Sequence, residues 1–262
     1  MVTAQMVKEL REITGVGMSD CKNALVETDG DIDAAIELLR KKGFAKAAKR
    51  ADNETKEGKI KIMNDGTTAY VVSVGCETDF VARNDTYDEM LNKFVEIRKS
   101  SATDEEAIAK SEDLKSTEYQ LKIGENMKIL ALTKIEGEVI ESYVHSNNKV
   151  AALIVAKAGI DTEKLKMVAM HITATNPDVL SPEDISADAV AKEKEIQLEL
   201  MKNDPKNAGK PEEIMLKIIE GKMTKFKEEN ALLTQQFVVN PDQKVQDFIG
   251  ADSIVSFKRY AI

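Results

Sequence analysis

Few residues in this chain have the type and spacing that chemistry requires. Phe80 sits between Asp79 and Val81, directly after a strand-like run, in a polar stretch that opens at Thr78 and closes with Arg83-Asn84-Asp85. A bulky aromatic beside an acid in a loop either covers the core beneath it or anchors a partner, because aromatic anchors dominate interface energetics. The pattern alone weighs these two readings equally. The chain has two histidines, and neither stands in a metal-ligand spacing with cysteine or carboxylate. His171, between Met170 and Ile172 on a helical stretch, reads from pattern alone as a packed or surface histidine. Cys76 lies near Asp79 without a histidine close in sequence to activate it, which argues against a nucleophile. Gly15-Val16-Gly17 is a helix-to-helix turn, not a dinucleotide fingerprint after a strand, and there is no Walker phosphate loop. The expectation is a binding protein, not an enzyme, with no cofactor and no metal.

The composition narrows the class further. Hydrophobic residues at 42% and charged residues at 32% of 262 suit an ordinary soluble chain and exclude wholesale disorder. Aromatics make up 5% and Trp is absent, so Ile, Leu, Val, Met and Ala must build the core. The formal net charge of -9 opposes nucleic-acid binding by the whole surface, which needs a basic footprint. Arg40 to Arg50 is the one local basic stripe. Cys21 and Cys76 lie far apart, which favours a reduced, cytoplasmic protein. Lys8, Glu9, Arg11 and Glu12 interrupt any apolar opening run, so a signal peptide is not expected. No run approaches the ~18 apolar residues of a membrane span.

The elements that must position these residues follow from periodicity. Met6, Val7, Leu10 and Ile13 share a helical face that stops at Gly15-Val16-Gly17. Ser19 or Asp20 is the expected cap of a second helix, and Asp31 of a third that carries Ile32, Ala35, Ile36 and Leu39 and closes at Gly43. This is a three-helix bundle over 1–45, followed by a charged, Ala-rich linker over 46–58. The period changes to two at Lys59. Ile60 and Ile62, the turn Asn64-Asp65-Gly66 and Tyr70 to Val74 make a hairpin, and after the Thr78 to Asn84 loop comes a helix with Met90, Leu91, Phe94, Val95 and Ile97. A charged helical stretch spans Asp104 to Ile123. A strand from Met127 to Ile135 completes this subdomain, 59–136.

The order of glycine, strand, polar turn, strand, loop and helix then repeats. It starts at Gly58 and again at Gly137, where Val139 to Val144, Ser146 to Lys149, Val150 to Val155 and a helix from Thr162 to Thr175 follow. The reading is a duplicated α+β core with antiparallel sheets, its second subdomain covering 137–180, to which 231–262 returns. Ser181-Pro182 with Asp184 predicts a helix start, Asn203 to Pro211 a turn, and Glu212 to Glu229 a second helix. Sparse apolar positions (Ile196, Leu198 and Leu200, then Ile214, Ile218 and Met223) suit a protruding antiparallel coiled-coil hairpin over 181–230. From Phe237 the tail reads as irregular, ending in a strand from Ile254 to Phe257.

Several strings, in this order, resemble the elongation factor Ts family over almost the whole chain. LREITGVGMSDCKNALVETDGDIDAAIELLRKKG is similar to its ubiquitin-associated-like (UBA-like) three-helix domain, and CETDFVARND to its signature loop. KIGENMKI, GEVIESYVHSNNKVAALIVA, MHITATNP and GKMTKFKEENALLTQQFVVNP resemble later parts of its core and the end of its coiled coil. Ile172-Thr173-Ala174-Thr175 departs from a more Ala-rich run, and Ala231 stands where some members carry Cys. The chain ends at Ile262, and an additional carboxy-terminal module of some members is expected to be absent.

The resemblance implies a guanine nucleotide exchange factor that binds elongation factor Tu carrying GDP. Thr78, Asp79, Phe80 and Val81 are then the residues that dislodge Mg²⁺ from the partner. Arg11, Met18, Lys22, Ile123, Gly124, His171 and Val238 match partner-binding positions, which gives His171 a role its local pattern does not. No direct nucleic-acid contact and no membrane are expected. A homodimer, a one-to-one complex and a heterotetramer with elongation factor Tu all fit the sequence. Two rival classes remain: a UBA-like adaptor or scaffold without exchange activity, and an RNA-binding factor using Lys41, Lys42, Lys46, Lys49 and Arg50.

Overall fold

The computed structural model describes residues 2–203 and 212–262. It is an α+β protein with two three-stranded sheets and one two-stranded sheet among the described residues. Several helices start where a side chain can replace a missing backbone partner. In α1 (Ala4–Thr14) the Thr3 hydroxyl accepts from the Met6 N–H at 3.3 Å, and Gly15, at φ 70°, ends the helix. The next helix, α2 (Met18–Glu27), begins directly after Gly17, so Ser19 and Asp20 lie in its first turn and do not cap it. Asp31 caps α3 (Ile32–Arg50) by accepting from the Ala34 N–H at 2.9 Å. Val7, Leu10, Cys21, Ala24, Leu25, Ala35 and Leu39 form the core of these three helices. Ile13 departs from expectation: it is 55% exposed.

Gly43 does not close α3, which continues to Arg50, through the first five residues of the expected linker. Its lack of a side chain serves packing. A Cβ placed there would lie 1.8 Å from the Leu121 Cδ2, so only glycine lets α3 approach that side chain so closely.

The first sheet joins β1 (Glu57–Asn64), β2 (Thr68–Cys76) and β3 (Met127–Glu136), all antiparallel, with β2 central. At the β1–β2 turn the Asp65 carboxylate accepts from the Thr67 and Thr68 N–H groups, and Gly66 takes φ 97°. After α4 (Asp79–Ala82) comes α5 (Asp85–Ser100), whose Tyr87, Met90, Leu91, Phe94 and Val95 pack on Val72, Val74 and Leu132. The Tyr87 hydroxyl donates to the Val74 carbonyl at 2.7 Å and pins the helix to the central strand. The charged stretch is not one uniform helix. It consists of α6 (Asp104–Leu114), a π-helical turn at Lys115–Tyr119, and α7 (Gln120–Ile123), which ends at Gly124 with φ 74°.

A second sheet has the order β4 (Val139–Val144), β5 (Val150–Ala156) and β8 (Ile254–Ala261). Both three-stranded sheets therefore place a later strand beside the second strand of a hairpin. Asp161 caps α8 (Thr162–Thr175), which buries Leu165, Val168, Ala169 and Ile172. The helix predicted from Ser181 instead begins as a 3-10 turn at Pro182–Asp184, in which the Asp184 carboxylate accepts from the Ser181 N–H. Ser186 then caps α9 (Ala187–Asn203) by accepting from the Ala189 N–H. Alongside it lies α10 (Glu212–Asn230), and the seam joins Met201, Ile219 and Met223 with Val190, Leu198, Met215 and Ile218. Of the expected seam residues, Ile196, Leu200 and Ile214 are exposed. The turn expected at 203–211 lies outside the described residues beyond Asn203. The tail is more ordered than its composition suggests: β6 (Gln236–Phe237) and β7 (Asn240–Lys244) pair, and α11 (Val245–Ile249) precedes β8.

By internal contacts the chain divides into two units. One comprises Met1–Glu136, Val144–Ala151 and Tyr260–Ile262; the other comprises Gly137–Tyr143 and Ala152–Arg259. No helix among the described residues is long and apolar enough to cross a membrane.

Candidate functional site

The Thr78 to Asn84 segment is not an open loop. Thr78 has extended backbone and its hydroxyl accepts from the Val81 N–H at 3.4 Å, which starts the single helical turn α4. Asp79 in that first turn pairs with Arg83 at 3.1 Å. One turn of helix divides its side chains by direction. Ala82 is buried and Val81 packs on the core beneath, whereas Phe80 is 82% exposed, the highest value among the described large apolar residues. The core-cover reading of Phe80 is therefore wrong, because Val81 and Ala82 do the covering.

A polar network that sequence reasoning missed holds this turn from behind. The β2–β3 ladder ends at the Cys76–Met127 pair, and side chains carry the connection further. The Glu125 carboxylate accepts from the Glu77 N–H at 3.1 Å, the Thr78 N–H at 3.0 Å and the Thr78 hydroxyl at 2.6 Å. In the opposite direction the Glu77 carboxylate accepts from the Asn126 N–H at 2.6 Å. The Asn53 amide also donates to Glu77, and Arg50 lies 3.5 Å from it while donating to the Gly124 carbonyl at 2.7 Å. The Asn126 amide donates to the carbonyls of Ala51 and Asn53. Hydrogen bonds to an ionised acceptor contribute roughly 1.5–3 kcal/mol each, less where water competes. Burial of Glu77 opposes its ionisation, but the Asn126 N–H, Asn53 and Arg50 outweigh it and hold the carboxyl below the usual range. Burial pushes the Cys76 thiol up to about 11, and it donates to the Thr78 carbonyl at 3.2 Å, so it is a structural group and not a nucleophile.

The other sequence-predicted residues fall into separate places. Arg11 in the last turn of α1, Met18 at the start of α2 and Lys22 within α2 are all exposed. Ile123 packs partly into the core under the Thr78 turn, and Gly124 is exposed at positive φ beside Glu125. His171 is fully buried and presents no surface of its own. Its Nδ1 accepts from the Val238 N–H at 3.3 Å, so Nε2 carries the proton and donates to the Gln235 Oε1 at 2.8 Å. Thr175 also donates to that oxygen, and the Gln235 amide donates to the Glu229 carbonyl. Burial lowers the His171 pKa, with the Gln235 bond opposing. The imidazole thus fixes Val238, which is 50% exposed beside Val239.

The basic stripe is largely neutralised where it stands. Lys41 pairs with Glu37, Lys42 with Glu27, Lys46 with Asp20 and Arg50 with Glu77. Such pairing removes the unpaired positive charge that phosphate contacts need. Among the described residues no cluster of histidine, cysteine and carboxylate could hold a metal.

Fold and site together define an α+β protein with an aromatic held in solvent on a braced strand-to-helix turn, a surface suited to contact. Comparison with known proteins gives this class a family. The family model for elongation factor TS matches residues 77–262. The chain is 43% identical over 268 residues to elongation factor Ts of Marinobacter nauticus, covering 100% of this chain and 91% of the relative. It is 44% identical to the proteins of that name from Teredinibacter turnerae, over 269 residues, and Vibrio vulnificus, over 265. Both matches cover 100% of this chain, and 90% and 91% of the relatives. The chain belongs to the elongation factor Ts family, and is a translation elongation factor by that membership.

Proposed function

We propose that this chain is a guanine nucleotide exchange factor that binds elongation factor Tu in its GDP form and speeds GDP release without covalent chemistry of its own. The observation that carries this reading is Phe80, 82% exposed on a turn whose other apolar residues are turned inward. In this mechanism α4 enters the partner near its Mg²⁺ site. Phe80 wedges between partner side chains, with Thr78, Asp79 and Val81 shaping the turn, and the groups that hold Mg²⁺ move away. A Mg²⁺ ion bridging phosphates is among the largest local charges in such a site, so its loss loosens GDP without competition for the nucleotide pocket. By linkage, a factor that weakens GDP binding is weakened by GDP to the same degree, and an incoming nucleotide then ejects it.

The remaining contacts hold the turn in place. Arg11, Met18 and Lys22 form the surface of a UBA-like domain over 1–45, whose last helix runs on to Arg50 and whose remaining connector leads to core subdomains at 59–136 and 137–180 with 231–262. Ile123 and Gly124 flank the turn, and Val238, set by His171, adds a further contact. The paired helices within 181–230 act as a coiled-coil hairpin. The activity belongs in the cytoplasm, where translation proceeds.

Stopped-flow release of labelled GDP tests the reading. Catalytic amounts of this chain are expected to accelerate release from elongation factor Tu. Release at the spontaneous rate, while the two proteins demonstrably bind, would overturn it.

A further inference from the structure

The β2–β3 ladder stops one residue before the turn that carries Phe80, yet the turn is not left free. Glu125 and Glu77 exchange roles across the gap: each carboxylate accepts backbone N–H groups from the other's segment. Glu125 also receives the Thr78 hydroxyl, the same hydroxyl whose oxygen caps α4 at the Val81 N–H. The bonds that tie the start of α4 to the segment leading into β3 therefore pass through Glu125 and Thr78. Gly124, at φ 74°, delivers Glu125 from the end of α7, and Arg50 bonds the Gly124 carbonyl while offsetting the charge of Glu77. The side chain of Phe80 itself is 82% exposed, so its direction follows chiefly from the backbone of the turn.

We infer that Glu125 is a positioning residue for exchange: with Glu77 it forms a reciprocal carboxylate clamp that aims Phe80. This rests on the exchange reading above. The clamp predicts that losing Glu125 lowers the rate at saturating factor more than it lowers affinity, because the other contact surfaces are untouched. Glu125→Gln keeps one oxygen for the two N–H donors, whereas Glu125→Ala keeps none.

Two measurements test it. The chain has no Trp, so Phe80→Trp places a single fluorescent reporter on the turn. In that background the anisotropy of Trp emission in the free protein is expected to fall for Glu125→Ala and less for Glu125→Gln, with circular dichroism unchanged. In exchange assays on the chain with Phe80 restored, Glu125→Ala is expected to slow saturated GDP release at least about tenfold, the scale of a single charge-assisted hydrogen bond weakened by competing water. Its half-saturating concentration should shift less than the rate, and Glu125→Gln should fall between. The double variant Glu125→Ala, Phe80→Ala should release GDP no more slowly than Phe80→Ala alone, because an unaimed ring and a missing ring fail alike. Unchanged anisotropy in both Glu125 variants, or slowdowns that multiply fully in the double variant, would overturn the clamp. Should the unmutated chain fail to accelerate release, the exchange reading falls and takes the clamp's part in exchange with it, while the anisotropy arm still judges the clamp as a brace.

Discussion

Phe80 keeps its ring in water although burying a phenyl side chain is worth roughly 1.5–3 kcal/mol. Its neighbours Val81 and Ala82 take the buried positions instead. That forgone burial is recovered only if something else covers the ring. His171 shows the opposite economy. It is buried and neutral, with Nδ1 accepting from Val238 and Nε2 donating to Gln235. Its pKa in the folded chain lies below the unfolded value of about 6.5, so the unfolded chain takes up the proton first as pH falls. The stability it contributes is full above that value and declines as pH drops through it toward the folded pKa. Urea midpoints measured from pH 7.5 to 5 should therefore fall below about 6.5 in the unmutated chain. They should fall less in His171→Gln, and equal slopes would contradict this. The sequence could name Phe80 and His171 but not their settings. Exposure of the first and burial of the second depend on residues such as Glu125 and Gln235, which lie 47 and 64 positions away in their hydrogen-bond pairs.

Most elements were legible because capping residues and periodicity are local signals. The hairpin from Glu57 to Cys76, the strands Val139–Val144 and Val150–Ala156 and the helix Thr162–Thr175 appear close to where pattern places them. Gly43 misled because glycine punctuates helices in sequence, while here it answers to Leu121 across a packed interface. Replacing glycine by alanine inside a helix gains about 1 kcal/mol in propensity, but overpacking costs roughly 1–3 kcal/mol. Gly43→Ala is accordingly expected to be neutral to destabilising by about 2 kcal/mol in denaturant unfolding. Leu121→Ala in the same chain should relieve part of that loss. A Gly43→Ala protein stabilised by the full propensity gain would show that α3 and Leu121 are not tightly packed. Similarly, the seam of α9 and α10 uses Met201, Met215 and Ile219, which a sparse pattern could not separate from the exposed Ile196, Leu200 and Ile214.

At the scale of the molecule, the repeated strand order explains how the chain presents the Phe80 turn. Each three-stranded sheet sets a hairpin's second strand at its centre, and in the first sheet the end of that strand leads straight into α4. A central strand is the most firmly held part of such a sheet, so a turn at its end inherits a fixed origin. The repetition was visible in the spacing from Gly58 and Gly137; the brace at the end of β2 was not, because it is built from side chains that reach beyond the ladder. The acidic total and the paired basic stripe weigh against the RNA-binding reading of this surface. The most direct measurement compares saturating unmutated chain with Phe80→Ala in stopped-flow release of labelled GDP from elongation factor Tu, with binding and circular dichroism measured on both. Release at least about tenfold slower in the variant, with binding and fold retained, is the predicted result. Equal release rates would contradict the account, because the exposed ring would then play no part in exchange.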